Sequence, residues 1–135
     1  MKLRILVADD NAPFLRKLAS VLGAEFEVVA TVADGQAAVE SARKWQPDVV
    51  VLDLEMPILN GIDAARELIK QHPAPKTLIC SVESDPEIVE ASLQAGVLGY
   101  VFKSRIETDL VVAVKAVARG QRFVSPDGMI PSTKA

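Results

Sequence analysis

The chain has one cysteine, Cys80, among 135 residues, so no disulfide framework can form within it. Cys80 lies inside an apolar run, where it reads as a small buried hydrophobe, and this fits a reducing cytosol. Basic charge is not in excess. The 15 Lys+Arg against 18 Asp+Glu give a net charge of −3 and a pI of about 5.2, leaving no basic stripe to follow a phosphate backbone. Nucleic-acid binding by this chain alone is therefore not expected. A long hydrophobic run is also missing. Met1-Lys2-Leu3-Arg4 leads into a short apolar stretch closed by two aspartates, too brief for a signal segment or a membrane span. No internal repeat and no low-complexity tract is present. A soluble, cytoplasmic protein with no membrane partner is expected, of a size for one domain that buries roughly two-thirds of its unfolded surface.

What is present is an alternation of short β-branched runs with stretches of helical period, which calls for βα units and a parallel sheet in an α/β fold. Leu3 to Ala8 is almost wholly apolar, as a strand covered on both faces should be. Asn11 and Pro13 open a helix carrying Phe14, Leu18, Val21 and Leu22 on one face, ended by Gly23. Phe26 to Thr31 reads as a second strand, and Gly35 to Trp45 as a helix stopped by Pro47-Asp48. Val49 to Leu52 is the third strand and Thr77 to Cys80, ended by Ser81, the fourth. Asn60-Gly61 precedes a helix with Ile62, Ala65, Leu68 and Ile69 inward, and Asp85-Pro86 starts another that runs to Gly96. Gly99 to Phe102 is the fifth strand, followed by a helix marked by Leu110, Val114 and Val117 and capped by Gly120. From Gln121 the periodicity stops. The expected division is a folded unit over residues 1–120 and a tail or start of a linker over 121–135, where Pro126, Gly128 and Pro131 fall.

Four of the five apolar segments end in a residue suited to phosphate or metal chemistry: Asp9-Asp10, Asp53, Ser81 and Lys103. Parallel strands bring those ends to one edge, where open α/β sheets bind ligands. Converging aspartates repel one another and have raised pKa values unless a cation neutralises them. Magnesium suits such a site, with one or two carboxylates direct and the rest of its shell water and phosphate oxygen; Asp10 and Asp53 are the direct ligands and Asp9 acts through water. Lys103 adds a compact positive charge and Ser81 a hydroxyl. Three acids, a hydroxyl, an ammonium and a metal make a phosphoryl-acceptor site with Asp53 as carboxylate nucleophile. Taken singly, Asp9-Asp10 also reads as an Asx-capped turn, Asp53 as loop punctuation and Lys103 as a solvated lysine. The weight lies in the constellation.

The motifs Val7-Ala8-Asp9-Asp10-Asn11, Leu52-Asp53-Leu54-Glu55-Met56-Pro57, Asn60-Gly61, Ala95-Gly96 and Gly99-Tyr100-Val101-Phe102-Lys103 resemble those of receiver domains of two-component response regulators, from Leu3 to about Gly120. The resemblance implies a doubly wound, flavodoxin-like, five-stranded parallel sheet of order 2-1-3-4-5 with helices on both faces. It implies that Asp53 accepts a phosphoryl group from a sensor histidine kinase, with Mg²⁺ on Asp10, Asp53 and the backbone carbonyl of Glu55, and Asp9 orienting a metal-bound water. Ser81 and Tyr100 would act as switch residues, Ser81 swinging to the phosphoryl oxygens and Tyr100 following inward. On its own Tyr100 also reads as an edge-strand aromatic that packs and never moves.

The stretch from Gly99 through Gly120 to Phe123-Val124-Ser125-Pro126 is similar to NarL/FixJ-type regulators, in which the Ser-Pro leads toward a DNA-binding output domain. The chain then reads as the receiver part of a transcriptional regulator or as a stand-alone single-domain regulator acting by protein binding, in neither case as a conventional turnover enzyme. A phosphorylation-dependent homodimer through the last helix is expected, with Val111, Val112 and Ala116 as its apolar content. Two positions depart from the family pattern. Val82 stands where a small residue is usual, bearing on access to the phosphoryl group, and Ser104 stands where proline is common, removing the residue that makes a cis bond cheap. Rival readings are weaker: an aspartyl-nucleophile phosphatase needs an aspartate where Glu55 stands, a flavin domain needs a Ser/Thr/Gly-rich loop where Asp9-Asp10 stands, and an inactive receiver lacks the Asp53 and Lys103 present here.

Overall fold

Apolar runs with no polar alternation can be buried on both faces only if helices cover both sides of the sheet, and that is the arrangement found. The computed structural model describes residues 2–126. In chain order its elements are β1 (Arg4–Ala8), α1 (Ala12–Gly23), β2 (Glu27–Val32), α2 (Gly35–Trp45), β3 (Val49–Leu52), α3 (Gly61–Leu68), β4 (Lys76–Ser81), α4 (Pro86–Gln94) and β5 (Gly99–Phe102). A 3₁₀ turn (Lys103–Arg105), α5 (Ile106–Ala118) and β6 (Phe123–Val124) follow. All strand pairings are parallel, in the order β2-β1-β3-β4-β5-β6.

Strand alternation divides the core in two. Leu6, Ala8, Val50, Leu52, Ile79 and Tyr100 pack with Ala38, Ala65 and Val89 of α2, α3 and α4. Ile5, Val7, Val49, Val51, Cys80 and Val101 pack with Leu18 and Leu22 of α1 and Leu110 and Val114 of α5. Asn11, Asp34, Asn60 and Asp85 cap the starts of α1 to α4, each side chain accepting a backbone N–H of the first turn. Gly120, at φ +79°, takes the left-handed conformation that ends α5. Ile69, expected to extend the inner face of α3, instead follows its last turn and is 54% exposed. Among the described residues no helix is long and apolar enough to cross a membrane.

The sheet has six strands where five were expected. Phe123 N–H donates to the Leu98 carbonyl (3.1 Å) and Ser125 N–H to the Tyr100 carbonyl (2.9 Å), laying the segment along β5. Ser125 Oγ donates to Asp109 Oδ2 (2.7 Å) and accepts from Phe102 N–H (3.1 Å). Asp109 in turn receives Arg105 Nε at 2.8 Å. Burial works against the Asp109 carboxylate, but Arg105, Ser125 and Thr108 outweigh it and hold its pKa below the usual range. A two-residue strand has no period to detect, so its signal was this buried serine. Residues 127–135 of the expected tail lie outside the described residues.

Candidate functional site

The order of the strands sets the geometry: β1, β3, β4 and β5 are consecutive neighbours, so their carboxyl ends form one edge. Asp53 N–H donates to the Ala8 carbonyl at 2.9 Å, continuing the ladder past the strand ends and holding Asp9 and Asp53 side by side. Oxygens of Asp9, Asp10 and Asp53 lie within 4.8 Å of one another. Lys103 Nζ is 2.9 Å from Asp9 Oδ2 and 3.4 Å from Asp53 Oδ2. The other oxygens are tied to backbone: Asp9 Oδ1 accepts from Asn11 N–H (2.9 Å) and Asp53 Oδ1 from Leu54 N–H (2.8 Å). An open cleft of about 540 Å³ exposes the cluster, lined by Asp10, Asp53, Glu55, Met56, Val82 and Lys103 among others.

Gly61 is required where α3 starts. A Cβ there would run into the Asp53 carbonyl and Leu54, so only glycine lets the helix begin against the acidic loop. Between them Ile58 sits at φ +72°, with Leu59 N–H donating to the Pro57 carbonyl at 2.7 Å. That is a γ-turn of the strained hand on a β-branched residue that is 79% exposed.

The electrostatics follow from burial. Asp53 is pushed up to about 6, first by desolvation and then by the neighbouring Asp9 charge, with Lys103 and the Leu54 N–H pulling the other way. Burial also works against the charge of Lys103, yet Asp9 and Asp53 outweigh it and hold its pKa above the usual lysine value. Asp9 Oδ2 is fully buried, and its contact with the ammonium is not a directed hydrogen bond, so this oxygen has no hydrogen-bond partner. An all-oxygen set in which buried Asp9 Oδ2 meets an ammonium but carries no directed hydrogen bond fits a hard divalent cation.

Ser81 and Tyr100 stand next to this cluster and are coupled through Glu83. Ser81 Oγ accepts from Glu83 N–H (3.0 Å), and the Tyr100 hydroxyl donates to the Glu83 carbonyl (2.8 Å). Tyr100 is already inside, fully buried, with its hydroxyl pushed up to about 12 by desolvation. β5 is not an edge strand, because β6 pairs with it. Val82 lines the mouth at 80% exposure. The only cis peptide among the described residues is His72–Pro73, so the bond before Ser104 is trans. Of the expected site residues, Lys103 pairs with Asp9 and Asp53, Asp10 brings an oxygen within 4.8 Å of theirs, Glu55 lines the cleft, and Ser81 and Tyr100 lie behind it. Two contacts were not read from the sequence: Asn11, expected only to open α1, also ties Asp9 to the start of that helix, and Phe14, expected only as an inward position of α1, has its ring under Lys103.

A doubly wound parallel sheet with an acidic triad and a lysine at its carboxyl edge defines a receiver, the phosphorylation-activated switch of two-component signalling. Residues 5–115 match the family described as the response regulator receiver domain, and the chain belongs to that family. It is 39% identical over 127 residues to the transcriptional regulatory protein DegU of Brevibacillus brevis, covering 93% of this chain and 54% of the relative. To the response regulator GacA of Pseudomonas viridiflava it is 34% identical over 128 residues, covering 92% and 59%. The chain thus spans a little over half the length of these curated relatives. Among solved structures it superposes on the signal receiver domain of the response regulator NarL from Mycobacterium tuberculosis with a TM-score of 0.84 at 32% identity, covering 89% of this chain and 98% of that one. A LuxR-family response regulator from Aurantimonas sp. gives 0.85 at 34% identity, covering 94% and 92%.

Proposed function

We propose that Asp53 is the phosphoacceptor, taking a phosphoryl group from the phosphohistidine of a sensor histidine kinase in the cytoplasm. The observation that carries this reading is the placing of Lys103 Nζ 2.9 Å from Asp9 and 3.4 Å from Asp53 at the mouth of an acidic cleft. A carboxylate oxygen of Asp53 attacks phosphorus. The new O–P bond forms as the P–N bond to the kinase imidazole breaks, and that imidazole keeps the electron pair and takes a proton. Lys103 holds the Asp53 carboxylate and receives the added negative charge. Asp10, Asp53 and the Glu55 carbonyl would hold Mg²⁺, with Asp9 contributing through water, and the ion would supply positive charge to offset the clustered carboxylates and an incoming anionic group.

Ser81 then exchanges its Glu83 N–H for a phosphoryl oxygen, and Tyr100, tied to the Glu83 carbonyl, reports that shift to the face made by α4, β5 and α5. The readout is a homodimer through α5. Val112 there is 55% exposed and Val111 half-buried, whereas Ala116 is buried in the core and does not contribute. In the whole protein this receiver controls a DNA-binding transcriptional output, a reading supported by relatives such as DegU. The chain catalyses only the gain and loss of its own phosphoryl group and is not a turnover enzyme.

Intact-mass spectrometry after incubation with acetyl phosphate tests this. One added phosphoryl group is expected in wild type with Mg²⁺, and none in Asp53→Asn or in the presence of a chelator. An unmodified wild type that is folded would make the chain a binding module only. Sedimentation with beryllofluoride tests the dimer, which an unchanged mass excludes.

A further inference from the structure

We infer that Phe14 is a positioning residue that holds the Lys103 ammonium at the acceptor carboxylate through the face of its ring; this rests on the reading of Asp53 as acceptor and Lys103 as phosphoryl ligand. The Lys103 Nζ lies 4.1 Å from the Phe14 ring centroid, well inside the range in which a cation is attracted to the negative face of an aromatic ring. The ammonium is thus bounded by Asp9, Asp53 and the ring, and the lysine side chain is only 12% exposed. Exclusion of water strengthens the contact.

The ring is itself tied to the carboxylate that pairs with the lysine. Asp9 Oδ1 accepts from Asn11 N–H at 2.9 Å, and Asn11 Oδ1 caps α1 by accepting from Phe14 N–H at 3.0 Å. Asp9 Oδ2 then meets the same ammonium that the ring faces. A circuit closes through Asp9, Asn11, Phe14 and Lys103, so the start of α1 and the end of β5 are registered to each other across one carboxylate. The base of the ring packs against the α1 and α5 side of the core, which limits its freedom to turn away.

A phenylalanine suits this place better than a polar residue for a chemical reason. A carboxylate or amide there would accept one of the three N–H donors and compete with an incoming phosphoryl oxygen. The ring attracts the charge and offers no lone pair. Lys103 is therefore held near Asp53 while its N–H groups stay free to turn from carboxylate to phosphoryl oxygen.

The test compares wild type, Phe14→Leu, which keeps apolar volume but loses the ring, and Phe14→Tyr, which keeps the face. Rates of phosphorylation by acetyl phosphate with Mg²⁺ should fall between about fivefold and thirtyfold in Phe14→Leu, the range set by a desolvated cation–ring contact, and recover in Phe14→Tyr. NMR of the Lys103 Cε protons gives a second readout that needs no phosphorylation: an upfield ring-current shift in wild type, absent in Phe14→Leu and retained in Phe14→Tyr. Equal rates in wild type and Phe14→Leu, or failure of Phe14→Tyr to recover, overturn the proposal. A wild type that is never phosphorylated sinks the acceptor reading instead, and the lysine shift still decides whether Phe14 holds Lys103, as it does if Phe14→Leu fails to fold. Ordinary lysine shifts in wild type overturn it outright.

Discussion

Replacing the acceptor should make the metal-free protein more stable, not less. Asp53 has a side chain 11% exposed and a pKa pushed up to about 6 in the folded state, against roughly 3.9 in an unfolded chain. The folded protein therefore keeps a proton between about pH 4 and pH 6 that the unfolded chain has already lost. Stability falls as pH rises through that window. Above it, ionised Asp53 costs about 3 kcal/mol, since two units of pKa correspond to that energy. Asp53→Asn keeps an oxygen for the Leu54 N–H and removes the charge. Urea denaturation in chelator at about pH 7.5 should show the variant more stable by up to about 3 kcal/mol, an increase in melting temperature of roughly 5–10 °C. The gap should close by about pH 4. Magnesium should stabilise wild type and narrow the gap, because it neutralises the same charge. A variant no more stable than wild type at neutral pH, or a difference independent of pH, would refute the placing of Asp53 in a desolvated acidic cluster.

Lys103→Ala leaves Asp9 buried without its cation, and equilibrium unfolding in chelator should show a loss of about 3 kcal/mol, partly restored by Mg²⁺; a neutral effect would mean that the pair contributes nothing. Ser125→Ala strips a partner from the Phe102 N–H and from Asp109 and should cost about 2 kcal/mol in urea titration. A cost below about 0.5 kcal/mol, the level of an ordinary surface substitution, would show that β6 is not held by this contact. Ile58→Gly trades strain of about 1–3 kcal/mol against a smaller backbone-entropy penalty. It should raise stability by about 1 kcal/mol in thermal unfolding, and a decrease would argue against the γ-turn.

Much of the site could be read before any coordinates because its chemistry sits at element ends. Apolar runs with a polar residue at the carboxyl end are visible in one dimension, and parallel pairing is the only arrangement that covers such runs on both faces. Asp9, Asp10, Asp53 and Lys103 were legible for that reason, and so was the expectation of a shared edge. The caps at Asn11, Asn60 and Asp85 belong to the same class of local signal.

The remainder depended on which residues meet across the fold. That β5 acquires a partner in β6 rests on Ser125 reaching Asp109, sixteen residues away in the chain, and no period marks a two-residue strand. Phe14 looked like one more inward position of α1, and only the packing of that helix beside the end of β5 puts its ring under Lys103. Tyr100 was placed on a strand by its neighbours, but its burial was decided by the cluster that includes Val89 of α4 and by the Glu83 loop, whose carbonyl takes its hydroxyl. By itself the sequence determined the alternation of elements, the class of fold and the acids and lysine of the site, because periodicity and end residues are local. The tertiary structure alone decided the sixth strand, the burial that pushes Asp53 up, and the ring that meets the lysine, because desolvation and side-chain contact arise only where distant segments exclude water together.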